Sequence, residues 1–152
     1  MASTLTNLLF HVVFSTKARQ NLLSPEICAS LYPYIGGVIR GEKGRLITAG
    51  GRPDHIHIFA TLAPSISLSD MLRRVKVKGN SSHWLNEQHK MEGRFSWQRG
   101  YGAFTVSESS AAGVITYIEG QEEHHKRMTF QEEFLLLLKK HNVHYDERYI
   151  WE

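Results

Sequence analysis

Apolar and polar positions along the chain switch between a two-residue rhythm and a helical one, and the switches divide it into elements. Residues 5–14 (LTNLLFHVVF) are rich in β-branched and aromatic types and predict a strand. Ser24-Pro25-Glu26 is a helix start, with a serine cap and proline in the first turn. That helix is expected to run to about Arg40, with Pro33 perturbing it and Gly41 and Gly44 ending it. Residues 45–49 read as a short strand, Gly50-Gly51-Arg52-Pro53 as a turn, and residues 54–62 (DHIHIFATL) as the second strand of a hairpin. Ser67 or Ser69 caps a helix through about Lys78, resuming after Gly79 to about Gln88. Residues 101–106 predict a further strand, and residues 110–125 have helical spacing. Thr129 caps a last helix with acidic residues in its first turn, where the helix dipole favours them. The order β-α-β-β-α-β followed by helices is the ferredoxin-like (RRM-like) α+β plan, an antiparallel sheet with helices packed on one face. The plan by itself carries no chemistry.

The chain of 152 residues is the size of one domain, and we expect a single unit over residues 1–152. Apolar residues make up 41% and charged residues 22%, which excludes a disordered polyelectrolyte. The longest apolar run is Phe134 to Leu138, too short for a membrane span. The first residues, MASTLTNLLFHVVFSTK, lack the layout of a signal peptide. Cys28 is the sole cysteine, so neither a disulfide framework nor a thiolate metal site is available. These features point to a reducing cytoplasm, with no membrane partner. Net charge is +3 but uneven: residues 73–99 hold seven Lys/Arg against two Glu, and residues 118–152 hold five Lys/Arg against eight Asp/Glu. A local basic excess implies a local anionic partner.

Three groups of residues could carry chemistry. On a strand, His55 and His57 project from one face about 6.5–7 Å apart, while Ile56 and Ile58 face the other way. Two such imidazoles either converge on a divalent metal or stand as solvated strand histidines. Tyr117 and Gln121 are four apart on a helix and share a face. A phenol is a nucleophile for phosphorus where a metal polarises the phosphate, and a carboxamide oxygen suits that metal. The other reading is an amphipathic helix with Val114, Ile115 and Ile118 buried. Gly113 and Gly120 flank Tyr117, each costing up to ~1 kcal/mol inside a helix, which is compatible with a movable helix. Finally, Arg73, Arg74, Lys76 and Lys78 are followed by His83, Trp84, Lys90, Arg94, Trp97 and Arg99. Cations grip phosphates and tryptophans stack on unpaired bases, which suits single-stranded or hairpin nucleic acid; the same run could be a solvated helix face.

Taken together, these residues make the sequence resemble the single-tyrosine transposases of the HUH superfamily. Those are the enzymes of small bacterial insertion sequences and their relatives near repetitive palindromes. The His-hydrophobe-His motif is His55-Ile56-His57 within RPDHIHIF. The tyrosine motif is Tyr117-Ile118-Glu119-Gly120-Gln121, followed by Glu122-Glu123-His124-His125. Phe14-Ser15-Thr16-Lys17 and the run from Phe95 to Phe104 (FSWQRGYGAF) share the family's character, so the likeness spans nearly the whole chain. The resemblance implies Mg²⁺ or Mn²⁺ bound by His55, His57 and Gln121. It implies attack by Tyr117 on a phosphate of single-stranded DNA, a 5′-phosphotyrosine intermediate and a released 3′-hydroxyl. No nucleotide cofactor is needed, because the covalent step conserves the phosphodiester energy. It further implies a homodimer joined sheet edge to edge, often with the tyrosine helix of one subunit completing the partner's site.

Around this core, Asp54 is expected to point away from the histidines and to act behind them at most. His125, four residues past Gln121, ranks below it as a ligand. Glu119 lies on the far side of the helix from Tyr117. Two other readings use the same residues: a domesticated relative that processes chromosomal hairpins, and a non-catalytic nucleic-acid-binding module stacking bases on Trp84, Trp97 and the open sheet face.

Overall fold

The computed structural model describes residues 3–75, 80–88 and 94–152. Lys76, Lys78, Gly79 and Lys90 lie outside the described residues, as does the side chain of Arg74. The first strand, β1 (Leu9–Ser15), starts later than the apolar pattern predicts. Leu9 pairs with Thr61 on one side and Val106 on the other, so residues before it have passed both neighbouring strands. Leu5 is accordingly exposed.

Helix α1 (Pro25–Gly41) begins where Ser24 accepts a hydrogen bond from the Ile27 amide. It runs on through Pro33 because Leu31, Ile35 and Ile39 bury one stripe while Pro33 sits on the exposed side. Strands β2 (Arg45–Gly51) and β3 (His55–Thr61) form the hairpin. Gly50 and Gly51 belong to β2 rather than to the turn, since they pair with His57 and Ile56. The turn is confined to residues 52–54. Helices α2 (Leu68–Val75) and α3 (Asn80–Gln88) follow, then β4 (Gly102–Val106).

The four strands are antiparallel in the order β2-β3-β1-β4, which is the ferredoxin-like arrangement expected from the element order. Register sorts the side chains by face. Val12 opposite Ile58 and Phe14 opposite Ile56 point to one side, where they meet Leu31, Ile35, Ile39, Met71, Leu72 and Leu85 of the first three helices. Leu9, His11, Val13, His55, His57 and Phe59 fall on the other side.

That second face is covered as well, by the C-terminal helices α4 (Ala111–Glu119), α5 (Gln121–His124) and α6 (Phe130–Lys140). The helical run predicted over residues 110–125 is therefore two helices, parted at Gly120. Ile118 of α4 packs with Leu9 and Phe59. Phe130, Phe134, Leu137 and Leu138 of α6 pack with Val13 and Phe104. Gly50 makes the α4 contact possible: a Cβ there would lie 2.3 Å from the Ile118 carbonyl oxygen. Among the described residues, no helix is long and apolar enough to cross a membrane.

Candidate metal and nucleophile site

Between the two apolar clusters of the covered face lies a polar one. β3 supplies His55 and His57, both fully buried. Their alternation is that of any strand, but the cover of α4–α6 turns what could have been a solvated pair into an enclosed one. Gln121 at the start of α5 is 2% exposed, and Glu133 in the first turn of α6 is 1% exposed. Tyr117 of α4 is half-buried, its ring centroid 5.7 Å from that of His57. The two histidines, Tyr117 and Gln121 thus meet within one chain, despite the break at Gly120.

Glu133 is the hub. Its Oε1 lies 3.0 Å from His57 Nε2, 2.9 Å from His125 Nε2 and 3.6 Å from His55 Nε2. Its Oε2 accepts hydrogen bonds from the Tyr117 hydroxyl and, at 2.9 Å, from Gln121 Nε2. His124 Nε2 lies 3.4 Å from the same oxygen and, buried, makes no hydrogen bond among the described residues. Behind the two strand histidines stand two orienting groups. Asp54 Oδ1 is 2.8 Å from His55 Nδ1, and His11 Nε2 is 2.8 Å from His57 Nδ1. Asp54 reaches His55 because β3 begins only at His55, so strand alternation does not govern the residue before it.

The lone pairs identify what the site can hold. Glu133 accepts from the Gln121 amide, which leaves the Gln121 carbonyl oxygen facing His55 Nε2 at 3.0 Å. When His55 donates Nδ1–H to the Asp54 carboxylate, its Nε2 also presents a lone pair. Two lone pairs then aim at one space, a condition relieved by a proton or a cation. His55, His57, His125 and Glu133 each offer a ligand atom, all within 4.8 Å of one another. Imidazole nitrogens with carboxylate and carboxamide oxygens suit a borderline divalent ion such as Mn²⁺, and with less preference Mg²⁺.

Burial shapes the protonation of the cluster. It pushes His57 down to about 4 and His11 to about 3, with neighbouring positive charge adding to the shift for His11. Both are neutral near pH 7, the form that binds metal. Burial would raise Glu133, but hydrogen bonds from His125, His57 and Tyr117 outweigh it and hold the carboxyl well below its ordinary range. Burial, then the bond to Glu133, pushes the Tyr117 phenol above its usual value, so it rests as a protonated phenol.

The basic segment behaves differently from the enclosed site. Arg73, Arg94 and Arg99 are exposed, and Arg73 pairs loosely with Asp70 at 3.6 Å. Trp84 is half-buried with one ring face stacked on Tyr34, centroids 4.5 Å apart. Trp97 is not available for base stacking. It is buried against Phe14 and Phe95, with its indole N–H donated to Ser81 Oγ at 2.8 Å. The sheet face proposed for stacking in a non-catalytic module is likewise closed, by α4–α6.

Glu133 and His11 are the members of the enclosed cluster that the sequence pattern does not single out. Glu133 reads as a first-turn acid favoured by the helix dipole. Its signal is its place in the stripe of Phe130, Phe134, Leu137 and Leu138, where a carboxylate is buried among apolar neighbours. His11 has a similar signal, a polar residue among apolar strand positions. A cleft of about 770 Å³ bounded by α4, α6 and the end of β4 reaches Tyr117 and Glu133 and is also lined by Lys140 and His141.

Residues 4–121 match the family described as "Transposase IS200 like". The chain is 30% identical over 131 residues to the transposase for insertion sequence element IS200 of Salmonella typhimurium, covering 83% of this chain and 84% of the relative. It is 26% identical over 119 residues to the ISDra2 transposase TnpA of Deinococcus radiodurans, covering 75% and 84%. Its fold is similar to that of a candidate transposase from Deinococcus radiodurans R1, with a TM-score of 0.62 at 24% identity, covering 80% of this chain and 95% of that one. It is also similar to a REP-associated tyrosine transposase bound to a REP hairpin, with a TM-score of 0.61 at 16% identity, covering 82% and 72%.

Proposed function

The chain belongs to the IS200-like transposases, DNA-cleaving enzymes, and from that membership we propose that it cuts and rejoins single-stranded DNA at hairpin-marked sites, with Tyr117 as nucleophile. The observation that carries this reading is the convergence of Tyr117, Gln121, His55 and His57 on one enclosed point within a single chain. His55, His57 and Gln121 hold a divalent cation, Mg²⁺ or Mn²⁺. When bound, such an ion polarises the scissile phosphate and offsets the charge that builds on it.

The chain's own residues do the rest. Asp54 and His11 orient the two imidazoles from behind. The cleft admits a phosphodiester to the phenol, with Lys140 and His141 on its wall. The Tyr117 oxygen bonds to phosphorus as the bond from phosphorus to the 3′-oxygen breaks. The 3′-oxygen leaves as a hydroxyl, and the 5′-phosphate stays esterified to Tyr117. The phenolic proton passes by way of Glu133 Oε2, which already accepts its hydrogen bond, to the departing 3′-oxygen, so the carboxylate ends unprotonated. A second 3′-hydroxyl reverses the step and seals a new junction. Hairpin DNA is held by the basic segment, through Arg73, Arg74, Lys76, Lys78, Arg94 and Arg99, with the half-buried Trp84 beside them. A homodimer with paired sheet edges is part of the same reading, β2 and β4 being the edges of the sheet.

The test is a denaturing gel of labelled single-stranded hairpin DNA incubated with the protein and Mn²⁺. A covalent protein–DNA band is expected, absent with Tyr117→Phe and absent in EDTA. A band that survives Tyr117→Phe would remove the phenol from the mechanism.

A further inference from the structure

The family match ends at residue 121, yet two of the groups gathered on the strand histidines lie beyond it: His125 after α5 and Glu133 on α6. Glu133 is the more informative, because a carboxylate this deeply buried demands compensation by charge or by a full set of donors. Its two oxygens divide the surroundings between them. Oε2 takes the donors, the Tyr117 hydroxyl and the Gln121 amide. Oε1 takes the imidazole nitrogens of His57, His125 and, more distantly, His55.

Bonds of about 2.1 Å to a divalent ion set adjacent donors about 3.0–3.4 Å apart in octahedral or tetrahedral geometry. The separations of 2.9 Å (His125), 3.0 Å (His57) and 3.6 Å (His55) from Oε1 bracket that range, and the 3.0 Å between His55 Nε2 and the Gln121 carbonyl lies at its lower end. Asp54 and His11 already hold both strand imidazoles with Nε2 turned inward. This is the arrangement of ligands around a cation, with a carboxylate as one member.

We propose that Glu133 is itself a ligand of the divalent cation, binding through Oε1 beside His55 and His57, while its Oε2 fixes the Tyr117 hydroxyl next to that ion. The inference rests on the cation site of the preceding section and adds to it a ligand carried by α6. One carboxylate then sets the distance between ion and nucleophile. An anionic oxygen in an otherwise imidazole-rich set shifts the preference toward oxygen-seeking ions such as Mn²⁺.

Crystals of the full chain grown with Mn²⁺ and measured for anomalous scattering test this directly, with no variant required. The expected result is an ion bonded to His55 Nε2, His57 Nε2, the Gln121 carboxamide oxygen and Glu133 Oε1 at about 2.0–2.4 Å. An ion on His55, His57 and Gln121 with Glu133 turned away overturns the inference and leaves the proposed function standing. The absence of an ion at the histidines overturns the cation site itself. In solution, Mn²⁺ titration of the EDTA-stripped chain by calorimetry separates a ligand from a plug. Glu133→Gln is expected to weaken Mn²⁺ binding at least ~10-fold and to reduce the rise in melting temperature that Mn²⁺ gives the wild type. Unchanged or tighter binding by a variant that still melts cooperatively in EDTA would show that Glu133 only occupies the cation's place.

Discussion

Trp97 shows how the surroundings decide a residue's role. Beside Arg94 and Arg99 in sequence, it reads as a platform for bases. In the fold it fills the core between Phe14 and Phe95, with its N–H satisfied by Ser81. Trp97→Ala is therefore expected to cost about 3–5 kcal/mol of stability, read as a lowered urea midpoint. A stable variant with weakened DNA binding would return Trp97 to the nucleic-acid surface. Glu133 was passed over for the opposite reason. Acids in the first turn of a helix are commonplace, and only the position of this one within an apolar stripe marks it as buried. The histidine pair and the Tyr117–Gln121 pair were legible because strand and helix periods place them on shared faces. That the two faces confront each other is implied by the family resemblance and not by the periods, because it depends on contacts between residues 66 positions apart.

At the scale of elements, the seat of α4 on β2 determines where the Tyr117 phenol stands. Gly50 permits it, since any Cβ would strike the Ile118 carbonyl. Gly50→Ala is expected to cost about 1–3 kcal/mol and to abolish the covalent DNA band by displacing Tyr117. A full yield of adduct from this variant would mean that the helix docks elsewhere when DNA is bound. The basic side of the molecule is a separate device. Arg73 is exposed on α2, where its pairing with Asp70 across 3.6 Å in water contributes little. Arg73→Ala should reduce the slope of log affinity against log salt by about 1, measured with hairpin DNA by anisotropy. An unaltered slope would place the phosphate path on another face. The break between α4 and α5 falls at Gly120, whose cost inside a helix the sequence shows even though helical spacing continues across it.

For the molecule as a whole, the enclosed polar cluster couples stability to pH. His11 and His57 remain neutral in the fold down to about 3 and 4 because burial disfavours their charged forms, the neighbouring charge of His57 adding to the shift of His11. The unfolded chain binds protons on both below about 6.5, so acid favours unfolding, by up to ~1.4 kcal/mol per pH unit for each group. Glu133 acts with the same sign at lower pH. Its folded value is depressed, so its contribution is present above about 4.5 and is lost as pH falls toward the folded value. His125 works on the other side. Burial lowers it, but Glu133 outweighs burial and raises it, so its contribution is lost as pH rises through the folded value above 6.5. The metal-free chain should be most stable near pH 6.5, with His11→Gln flattening the acid limb; melts in EDTA across pH 4–8 check this, and a flat profile from 7 to 5 would contradict it. The sequence alone determined the order of elements, the ferredoxin-like sheet and the family, because short-range periodicity and motif spacing are written along the chain. Only the tertiary structure decided that the second sheet face is covered, that the Tyr117 phenol lies beside the strand histidines, and that Glu133 stands at their centre. Those facts depend on which apolar stripes bury against which, and that is settled by packing between distant segments.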